Sequence, residues 1–529
     1  MRLLSVIANA LALFSSVSAF SNPPLYQDLA DVDLRRINDT YYLSTSTMHF
    51  SPGAPILRSF DLVNWQYIGH SVPQLAQFGT GYTLPPGQNA YITGVWASWL
   101  IFVPAQNKWF WGGCTNFFQT HIFSSSGPDP TSTWTQISVI NQCYYDSGAF
   151  IDDDGTVYVS FKDLGQNTFG IAQMSADMTT PVKTQVVINL PSNMTSMEGT
   201  RPYKINGTYY IFTSFPDSGG EYVFRASSIF STSWVLKVFL NGVTPLPPLV
   251  GSIGQGALVQ TQNGDYYWMG FSWSYPNGRI PVLLPITCDG WPVPTLSSNG
   301  QLAASYPNTL TPHPLTNNLT GVDTFAGNSL GVQWEWNHDP DTTNFTVNNG
   351  LTLRTATLTN DWYAARNTLT RRQLGPISTA TIRMNFSAMK AGDRAGLGLF
   401  RDVSAYIGVW RTGNTFTVNM VNNITMNFSW VTTNTGAMAA SAAVTGSTIW
   451  LRVISDSTPA VDSATFWYST DGRSFKQLGP SFSTDTNFQY FEGQRFAIFN
   501  FAATSLGGSV QIPDFELAAG AYTGVAFGA

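Results

Sequence analysis

The chain contains 529 residues, of which 11% are charged, and carries a formal net charge of −6. One hydrophobic core seldom serves so long a chain, so we expect two domains. Lys and Arg are scattered rather than clustered, which argues against nucleic acid or an anionic membrane as the partner. Aromatic residues make up 14% of the chain, including 17 Trp, and suit both β-sheet cores and contact with a neutral ligand.

The N-terminus has the pattern of a secretory signal peptide over residues 1–19. Met1 and Arg2 precede an apolar run over residues 3–14, and small residues follow up to Ala19. We therefore expect a secreted, extracellular protein. No later segment approaches the ~18 to 20 uninterrupted apolar residues of a membrane span, so we expect a soluble mature protein, and we expect it to be a monomer.

Eight Asn-X-Ser/Thr sequons agree with passage through a secretory pathway, where such sites receive glycans. They begin at Asn38, Asn193, Asn206, Asn318, Asn344, Asn385, Asn423 and Asn427. We accordingly expect a glycoprotein.

The three cysteines, Cys114, Cys143 and Cys288, are too few for a disulfide framework or a cysteine-based metal cluster. One disulfide is the most that they allow within a chain. Cys114 and Cys143 flank strands that the repeat described below places near one another. We expect this pair to be bonded, with a buried free thiol as the alternative.

One sequence unit recurs five times in the first part of the chain, which is typical of a repeat architecture. The unit is a strand, a tight polar turn and a second strand with aromatic or β-branched residues. Its copies span residues 31–46, 95–114, 145–161, 198–214 and 253–271. Turns such as Asn206-Gly207 and Asn263-Gly264 favour hairpins, because these residues tolerate positive φ.

An aromatic marker follows each turn, and the spacing of the markers gives the period of the repeat. The markers are Tyr42, Phe110, Tyr158, Tyr210 and Tyr267, separated by 68, 48, 52 and 57 residues. This period suits four-stranded propeller blades with loops of variable length. We predict an all-β chain that begins with a five-bladed β-propeller over residues 20–305; a β-sandwich with two similar sheets is the main alternative.

The composition changes over residues 291–314, where Pro, Ser, Asn and Thr accumulate without periodicity, as in an interdomain linker. We assign residues 306–529 to linker and a β-sandwich. Its predicted strands span residues 351–357, 379–385, 395–400, 405–410, 415–421, 448–454, 464–468 and 494–500.

Three acidic residues fall at one position of the repeat. Asp31 lies 11 residues before its marker, and Asp146 and Glu198 each lie 12 residues before theirs. Equivalent positions of a closed propeller surround its axis at one depth, so we expect the three carboxylates in one pocket. Trp96 and Gln255, 14 and 12 residues before their markers, would add an aromatic wall and a neutral polar group.

Gathering three like charges is electrostatically unfavourable, and function is the natural reason for it. Glycosidic cleavage needs a carboxylic acid that protonates the leaving oxygen and a carboxylate that activates water or attacks the anomeric carbon. A third carboxylate nearby raises the pKa of the acid and keeps it protonated near neutral pH. The alternative is that each acidic residue pairs with an Arg or caps a turn.

Other acidic residues have simpler explanations. Asp152, Asp153 and Asp154 lie in a hairpin turn, where Asp bonds its own backbone, so we expect them to be solvated. Asp33 can share a strand face with Asp31, because side chains alternate along a strand. It is therefore the alternative to Asp31 as a catalytic base.

Several segments resemble glycoside hydrolase family 43, which contains arabinofuranosidases and β-xylosidases. In the predicted propeller these segments are Asp31-Val32-Asp33-Leu34-Arg35-Arg36, Ser51-Pro52-Gly53-Ala54-Pro55, Val95-Trp96-Ala97, Asp146-Ser147-Gly148, Glu198-Gly199-Thr200-Arg201 and Gly278-Arg279-Ile280-Pro281. Residues 334–340 and 392–397 look like the accessory sandwich of xylosidase and arabinofuranosidase members.

The resemblance implies roles for five residues. Asp31 would be the general base, Glu198 the general acid, and Asp146 the residue that orients Glu198 and tunes its pKa. Trp96 would wall the innermost sugar site. Arg279 would reach the sugar and the carboxylates, with a structural ion pair as its alternative role. The resemblance also implies inversion, for which the base and acid carboxyl groups lie ~6.5 to 9.5 Å apart.

The sequence departs from the family at one position on the predicted axis. Many relatives have a His that helps to hold calcium or another ion there, where this sequence has Gly254. We therefore predict no cofactor and no metal, with a structural calcium ion as the alternative.

Residues 47–53 and 258–265 most resemble α-L-arabinofuranosidases that trim arabinose from arabinoxylan. The expected partner is thus plant cell-wall arabinoxylan or its oligosaccharides. β-Xylosidase activity on xylo-oligosaccharides is the alternative, because both sugars are pentoses. Two further alternatives are a retaining invertase or fructanase, whose Asn-Asp-Pro-Asn type motif we do not find, and a non-catalytic glycan-binding propeller.

Overall fold

The computed structural model describes residues 18–315 and 319–520. The predicted signal peptide, apart from Ser18 and Ala19, and the sequon at Asn318 lie outside these ranges. Within them, no helix has both the length and the apolar character that crossing a membrane requires. The helices are short 3-10 turns at Ala76–Phe78, Thr80–Thr83, Pro104–Gln106, Pro216–Ser218, Trp362–Ala364 and Phe488–Tyr490.

Five four-stranded antiparallel sheets form the first part of the chain and confirm the predicted five-bladed propeller. Blade 1 contains Asp33–Ile37, Thr40–Ser44, Gly53–Ser59 and Gln66–Val72; blade 2 contains Ser98–Val103, Lys108–Thr115, Gln119–Ser125 and Trp134–Ile140; blade 3 contains Tyr145–Ile151, Val157–Asp163, Thr168–Met174 and Pro181–Asn189; blade 4 contains Glu198–Ile205, Thr208–Phe215, Gly220–Ala226 and Val235–Leu240; blade 5 contains Ile253–Gln260, Tyr266–Trp273, Arg279–Asp289 and Trp291–Pro294. The alternative of two similar packed sheets is wrong for this region.

The blades close into a ring around a central axis. The first strands of successive blades contact one another, and the first strand of blade 5 contacts that of blade 1. Ser18–Phe20 pairs with Tyr306–Asn308, although its first two residues belong to the predicted signal peptide. The side chain of Asn22 exchanges two hydrogen bonds with the backbone of Leu283 in blade 5. The segment before blade 1 is thus fixed to the last blade.

The first hairpin of each blade turns where the sequence pattern predicts. Residues with positive φ stand in these turns, including Asn38 at 57°, Asn107 at 54°, Asn206 at 50° and Gly264 at 91°. Asn and Gly adopt this left-handed conformation at low cost, which explains why they mark the repeat.

The predicted disulfide is confirmed. Cys114 is bonded to Cys143, and Cys288 is a half-buried free thiol. The bond links the second strand of blade 2 to the segment that leads into blade 3.

The second part of the chain is a β-sandwich of two antiparallel sheets. One sheet contains Gly321–Asp323, Phe345–Val347, Leu351–Arg354, Ile377–Asn385, Thr448–Asp456, Ser463–Ser469, Lys476–Gln477, Phe482–Ser483 and Ser509–Ala519. The other contains Glu335–Asn337, Leu369–Arg372, Asp393–Phe400, Val403–Thr412, Thr415–Met426, Thr432–Val444 and Arg495–Ala502, together with Phe50–Ser51. Fully buried apolar side chains such as Ile382, Leu397 and Phe466 form one core in the sandwich.

The strand Phe50–Ser51 belongs to a loop of blade 1 but pairs with the sandwich. Ser51 pairs with Trp336 and Phe50 with Asn337, and the Ser51 hydroxyl donates to the carboxylate of Asp339. The propeller therefore supplies the last strand of a sandwich sheet.

A buried ionic cluster also joins the two parts. The carboxylate of Glu335 contacts the guanidinium groups of Arg372 and Arg495 and the ring of His70. Arg495 continues to Glu492 at 2.8 Å. The two guanidinium charges hold the pKa of Glu335 well below its usual range, against the effect of burial.

Replacing Glu335 by Gln should lower the free energy of unfolding by about 3 to 5 kcal/mol, because it leaves buried guanidinium charge uncompensated. Denaturant unfolding monitored by tryptophan fluorescence measures the loss. Asp153→Asn is the matched control: its carboxylate also pairs with a cation but is exposed, so we expect at most about 1 kcal/mol. Equal losses for the two variants would contradict the prediction.

Candidate active site

Four blades share an unusual backbone conformation at the start of their first strands. Asp31, Asp146, Gly199 and Gln255 have φ of 53°, 46°, 71° and 40°. In each of these blades, the aromatic marker pairs with a residue of the first strand. The residue with positive φ lies four residues before that partner. Non-glycine residues seldom adopt positive φ, and such strain collects at functional sites. The three of these residues that carry side chains, Asp31, Asp146 and Gln255, line one cavity.

The strand register corrects the position predicted for Glu198. Asp31 and Asp146 are equivalent, but the equivalent residue of blade 4 is Gly199, and Glu198 stands one residue earlier. The reason lies in the hairpins. Tyr158 follows its partner Phe150 by eight residues, whereas Tyr210 follows Tyr203 by seven, so equal counts from the markers reach different positions.

All three predicted carboxylates nevertheless line one cavity of about 330 Å³. Trp96, Gln255 and Arg279 line it as well, so the structure brings together every site residue that the sequence indicates. The other lining residues are Met48, Ile92, Thr93, Ala97, Phe117, Tyr145, Trp273, Trp430 and Phe491.

Asp31 is held by an arginine. Arg279 Nη1 lies 2.7 Å from Asp31 Oδ1, and both residues are almost fully buried. The hydroxyl of Ser46 donates to Asp31 Oδ2 at 2.7 Å. Both carboxylate oxygens are thus contacted by a donor, which fixes the orientation of the carboxylate.

Glu198 and Asp146 hold their protons more tightly than usual. Burial, and then the charge of Asp31, raise the pKa of Glu198 to about 7, although Lys162 and Arg279 oppose the shift. Burial, with the charges of Glu198 and Asp31, raises the pKa of Asp146 well above its usual range. The cavity therefore combines a carboxyl group paired with an arginine and two carboxyl groups whose pKa is raised.

Three aromatic rings form one wall of the cavity. The ring of Phe117 lies 4.5 Å from that of Trp96 and 5.9 Å from that of Tyr145. Trp96 Nε1 donates to the backbone of Ile92 at 2.9 Å, which fixes the indole. In blades 2 and 3, Trp96 and Tyr145 occupy the register position that Glu198 occupies in blade 4. Each stands one residue before the position of Ala97 and Asp146.

The sandwich completes the cavity with two residues that sequence reasoning missed. Trp430 lies in the loop between Thr415–Met426 and Thr432–Val444, and Phe491 follows the short helix Phe488–Tyr490. The backbone oxygen of Phe491 accepts from Arg279 Nε at 3.1 Å. Their contribution depends on how sandwich and propeller pack, which no local pattern in the sequence reveals.

Asp33, the alternative base, is not among the residues that line the cavity. It is fully buried, and its carboxylate pairs with Arg35 at 3.1 Å and Arg201 at 3.5 Å. Arg201 also donates to the backbone oxygens of Ser147 and Ser98. This cluster links the first four blades and favours Asp31 as the base.

In the acidic turn of blade 3, Asp153 and Asp154 are exposed as predicted, whereas the side chain of Asp152 is largely covered and not solvated. Lys204 contacts Asp152 at 2.6 Å and Asp153 at 2.8 Å, and Asp154 accepts from the backbone of Thr156. None of these residues lines the cavity, as the turn interpretation predicts.

The residues around Gly254 do not fit a calcium site. Calcium takes six to eight oxygen ligands, with carboxylates prominent among them. The nearby carboxyl of Glu221 accepts from the backbone of Gln255 at 2.8 Å, and burial raises its pKa to about 8. In the described part of the chain, no group of three or more His, Cys, Asp or Glu side chains is placed to hold a metal ion.

Two family models match the chain. The model of "Glycosyl hydrolases family 43" matches residues 20–292. The model of "Beta xylosidase C-terminal Concanavalin A-like domain" matches residues 322–517. The two matches cover the propeller and the sandwich.

Individual proteins show the same similarity. A β-xylosidase of Formosa agariphila is 25% identical, over 94% of this chain and 90% of that protein. A non-reducing end α-L-arabinofuranosidase of Bacteroides ovatus is 26% identical, over 72% of this chain and 73% of that protein. A solved GH43 glycoside hydrolase, engineered at its active site to display both endo-xylanase and exo-arabinofuranosidase activity, has a TM-score of 0.90 and 39% identity, and the match covers 95% of this chain and 100% of that one.

The first family model covers more than half of the chain, and a solved member of the family shares the fold over nearly its whole length. Carboxyl groups with contrasting environments in one cavity agree with the chemistry of such enzymes. The chain is therefore a member of glycoside hydrolase family 43, and it is a glycosidase.

Proposed function

We propose that the enzyme releases α-L-arabinofuranose side chains from arabinoxylan with inversion of configuration. The observation that carries this proposal is the contrast within one cavity: Asp31 is paired with Arg279, whereas the pKa of Glu198 is raised to about 7. One group is thus suited to accept a proton and the other to donate one.

In this mechanism Asp31 is the general base. Its carboxylate takes a proton from water while the water oxygen attacks the anomeric carbon. Arg279 and Ser46 contact its two oxygens and fix the direction of the carboxylate. Inversion requires space for this water, so the carboxyl groups of Asp31 and Glu198 should lie ~6.5 to 9.5 Å apart when substrate is bound.

Glu198 is the general acid and gives its proton to the glycosidic oxygen as the bond to the anomeric carbon breaks. Asp146 orients Glu198 and is the third carboxyl group of the cavity. Because burial and neighbouring charge raise the pKa of both residues, the pair retains a proton near neutral pH.

The pH dependence of kcat/KM tests the role of Glu198. A general acid must be protonated, so kcat/KM should fall about tenfold per pH unit above the pKa of Glu198, which is about 7. Initial rates of arabinose release from an arabinoxylan oligosaccharide between pH 4 and 9 give the profile, because a sugar leaving group departs only with a proton.

Lys162→Met provides the matched variant for that profile. The ammonium group of Lys162 lowers the pKa of Glu198 and donates to the backbone of Thr195 at 2.6 Å. Removing this charge should move the alkaline limb to higher pH. An alkaline limb that stays in place in Lys162→Met would assign it to another group.

The sugar specificity is part of the proposal. β-Xylosidase activity on xylo-oligosaccharides is a second candidate, favoured by relatives such as the β-xylosidase of Formosa agariphila. Measuring kcat/KM on the nitrophenyl α-L-arabinofuranoside and β-D-xyloside side by side distinguishes the two. Arabinose release from arabinoxylan, with little action on the xyloside, supports the first candidate.

Product stereochemistry tests inversion directly. Proton NMR during the first minutes of hydrolysis should show the β-anomer of arabinose before mutarotation, because an inverting enzyme reverses the α-configuration. An initial α-anomer would show retention and contradict the general-base role of Asp31.

We further propose that the enzyme is secreted and glycosylated. Support comes from the predicted signal peptide and from sequons at exposed positions such as Asn38, Asn193 and Asn423. Mass spectrometry of the protein from culture medium tests cleavage and glycan attachment.

A further inference from the structure

Asp28 lies three residues before Asp31, buried where the propeller meets the sandwich. Its Oδ1 accepts from the backbone N–H of Arg279 at 2.7 Å. Its Oδ2 accepts from the backbone N–H of Gly493 at 2.8 Å. One carboxylate thus joins the segment that carries Asp31 to blade 5 and to a loop of the sandwich.

The same sandwich loop also holds the other end of Arg279. Arg279 Nε donates to the backbone oxygen of Phe491 at 3.1 Å, and Nη1 reaches Asp31 at 2.7 Å. The backbone oxygen of Arg279 accepts from Leu29 at 2.9 Å. Asp28 therefore fixes the backbone of Arg279, and the loop of residues 491–493 fixes its side chain.

The packing at this junction leaves no space for a side chain at two glycines. A Cβ added at Gly278 would lie 2.3 Å from Asp28 Oδ1, and the φ of Gly278 is +101°. A Cβ added at Gly493 would lie 2.0 Å from the backbone oxygen of Asn277. Only glycine at both positions lets the three segments approach closely enough for Asp28 to bridge them.

We propose that Asp28 is a positioning residue that acts through Arg279: it sets the direction from which the guanidinium meets Asp31, and it locks the sandwich loop that walls the cavity. This inference rests on the proposed role of Asp31 as general base. Asp28 contacts neither water nor substrate in this role, and it does not line the cavity.

Asp28→Asn tests the proposal, because an amide offers a single acceptor atom and cannot accept from both N–H groups. We expect kcat/KM to fall by about tenfold or more, the equivalent of one charged hydrogen bond. Asp61→Asn is the matched control: Asp61 is equally buried and accepts from the backbone of Val63 and His313, outside the cavity. It should lower the melting temperature while kcat/KM stays within about twofold.

A double-mutant cycle separates positioning from general destabilisation. If Asp28 acts through Arg279, Asp28→Asn should change kcat/KM by less than about twofold in an Arg279→Lys background. Equal fold losses in both backgrounds would overturn the proposal, as would unchanged kcat/KM in the single variant.

Hydrogen exchange gives a readout that does not depend on activity. The amides of Gly493 and Arg279 should exchange faster in Asp28→Asn and remain protected in Asp61→Asn. Should Asp31 prove not to be the base, this exchange result would stand while the kinetic cycle failed. Unchanged protection of both amides in Asp28→Asn would instead refute the positioning contact itself.

Discussion

Glu198→Gln is expected to lower kcat/KM on arabinoxylan oligosaccharides by about 10²- to 10⁴-fold, because the leaving oxygen then departs without a proton. The loss should shrink as the leaving group becomes more acidic, since a good leaving group needs little protonation. Measuring kcat/KM along a series of aryl α-L-arabinofuranosides tests this dependence. Gln keeps the size of Glu, so binding should persist.

This variant also separates an enzyme from a glycan-binding propeller. If the assignment is right, calorimetry with an arabinoxylan oligosaccharide should detect binding to Glu198→Gln while turnover is lost. Hydrolysis at the parental rate on every substrate would remove Glu198 from the mechanism.

Asp31→Asn is expected to lower kcat/KM by a similar factor of about 10² to 10⁴, but equally for all leaving groups. The reason is that water activation is needed whatever group departs. The same aryl series provides the measurement, and circular dichroism checks that the variant, in which Arg279 loses an ion pair, is folded. A loss that varies with the leaving group would mean that Asp31 is not the base.

The propeller could be predicted because its signals are local. Each first hairpin carries a turn residue such as Asn38 or Asn206 that tolerates positive φ, followed at short range by an aromatic marker. Each signal alone is weak, but its repetition in five units indicates a propeller. The displacement of Glu198 by one residue could not be predicted, because it depends on strand register. Distances counted along the sequence include the residues of the hairpin turn, which have no partner in the opposite strand.

The sandwich was predicted in outline, with two long strands missed. Thr432–Val444 is rich in Ala and Thr and is largely exposed at a sheet edge, so it shows little alternation of apolar and polar residues. Ser509–Ala519 contains Pro513, which argues against a central strand although the strand lies inside its sheet. Tertiary packing overrides local preference in both cases.

The residues of the candidate site also fall into those that the sequence predicts and those that it does not. Asp31, Asp146 and Glu198 were found because they recur at similar distances from a repeated marker. Trp430 and Phe491 carry no such signal, because they reach the cavity from another domain and from irregular loops. Asp28 carries no such signal either, since its hydrogen bonds join residues that lie hundreds of positions apart.

The strand that blade 1 contributes to the sandwich has an evolutionary consequence. A domain that moves between genes as an interchangeable cassette must carry all of its own sheet, and this one does not, because Phe50 and Ser51 lie far upstream of it. Recombination at the linker would leave the sandwich sheet without its last strand. It would also leave the catalytic cavity without the residues that the sandwich supplies. Swapping the sandwich between relatives would therefore require exchanging the upstream loop of blade 1 as well.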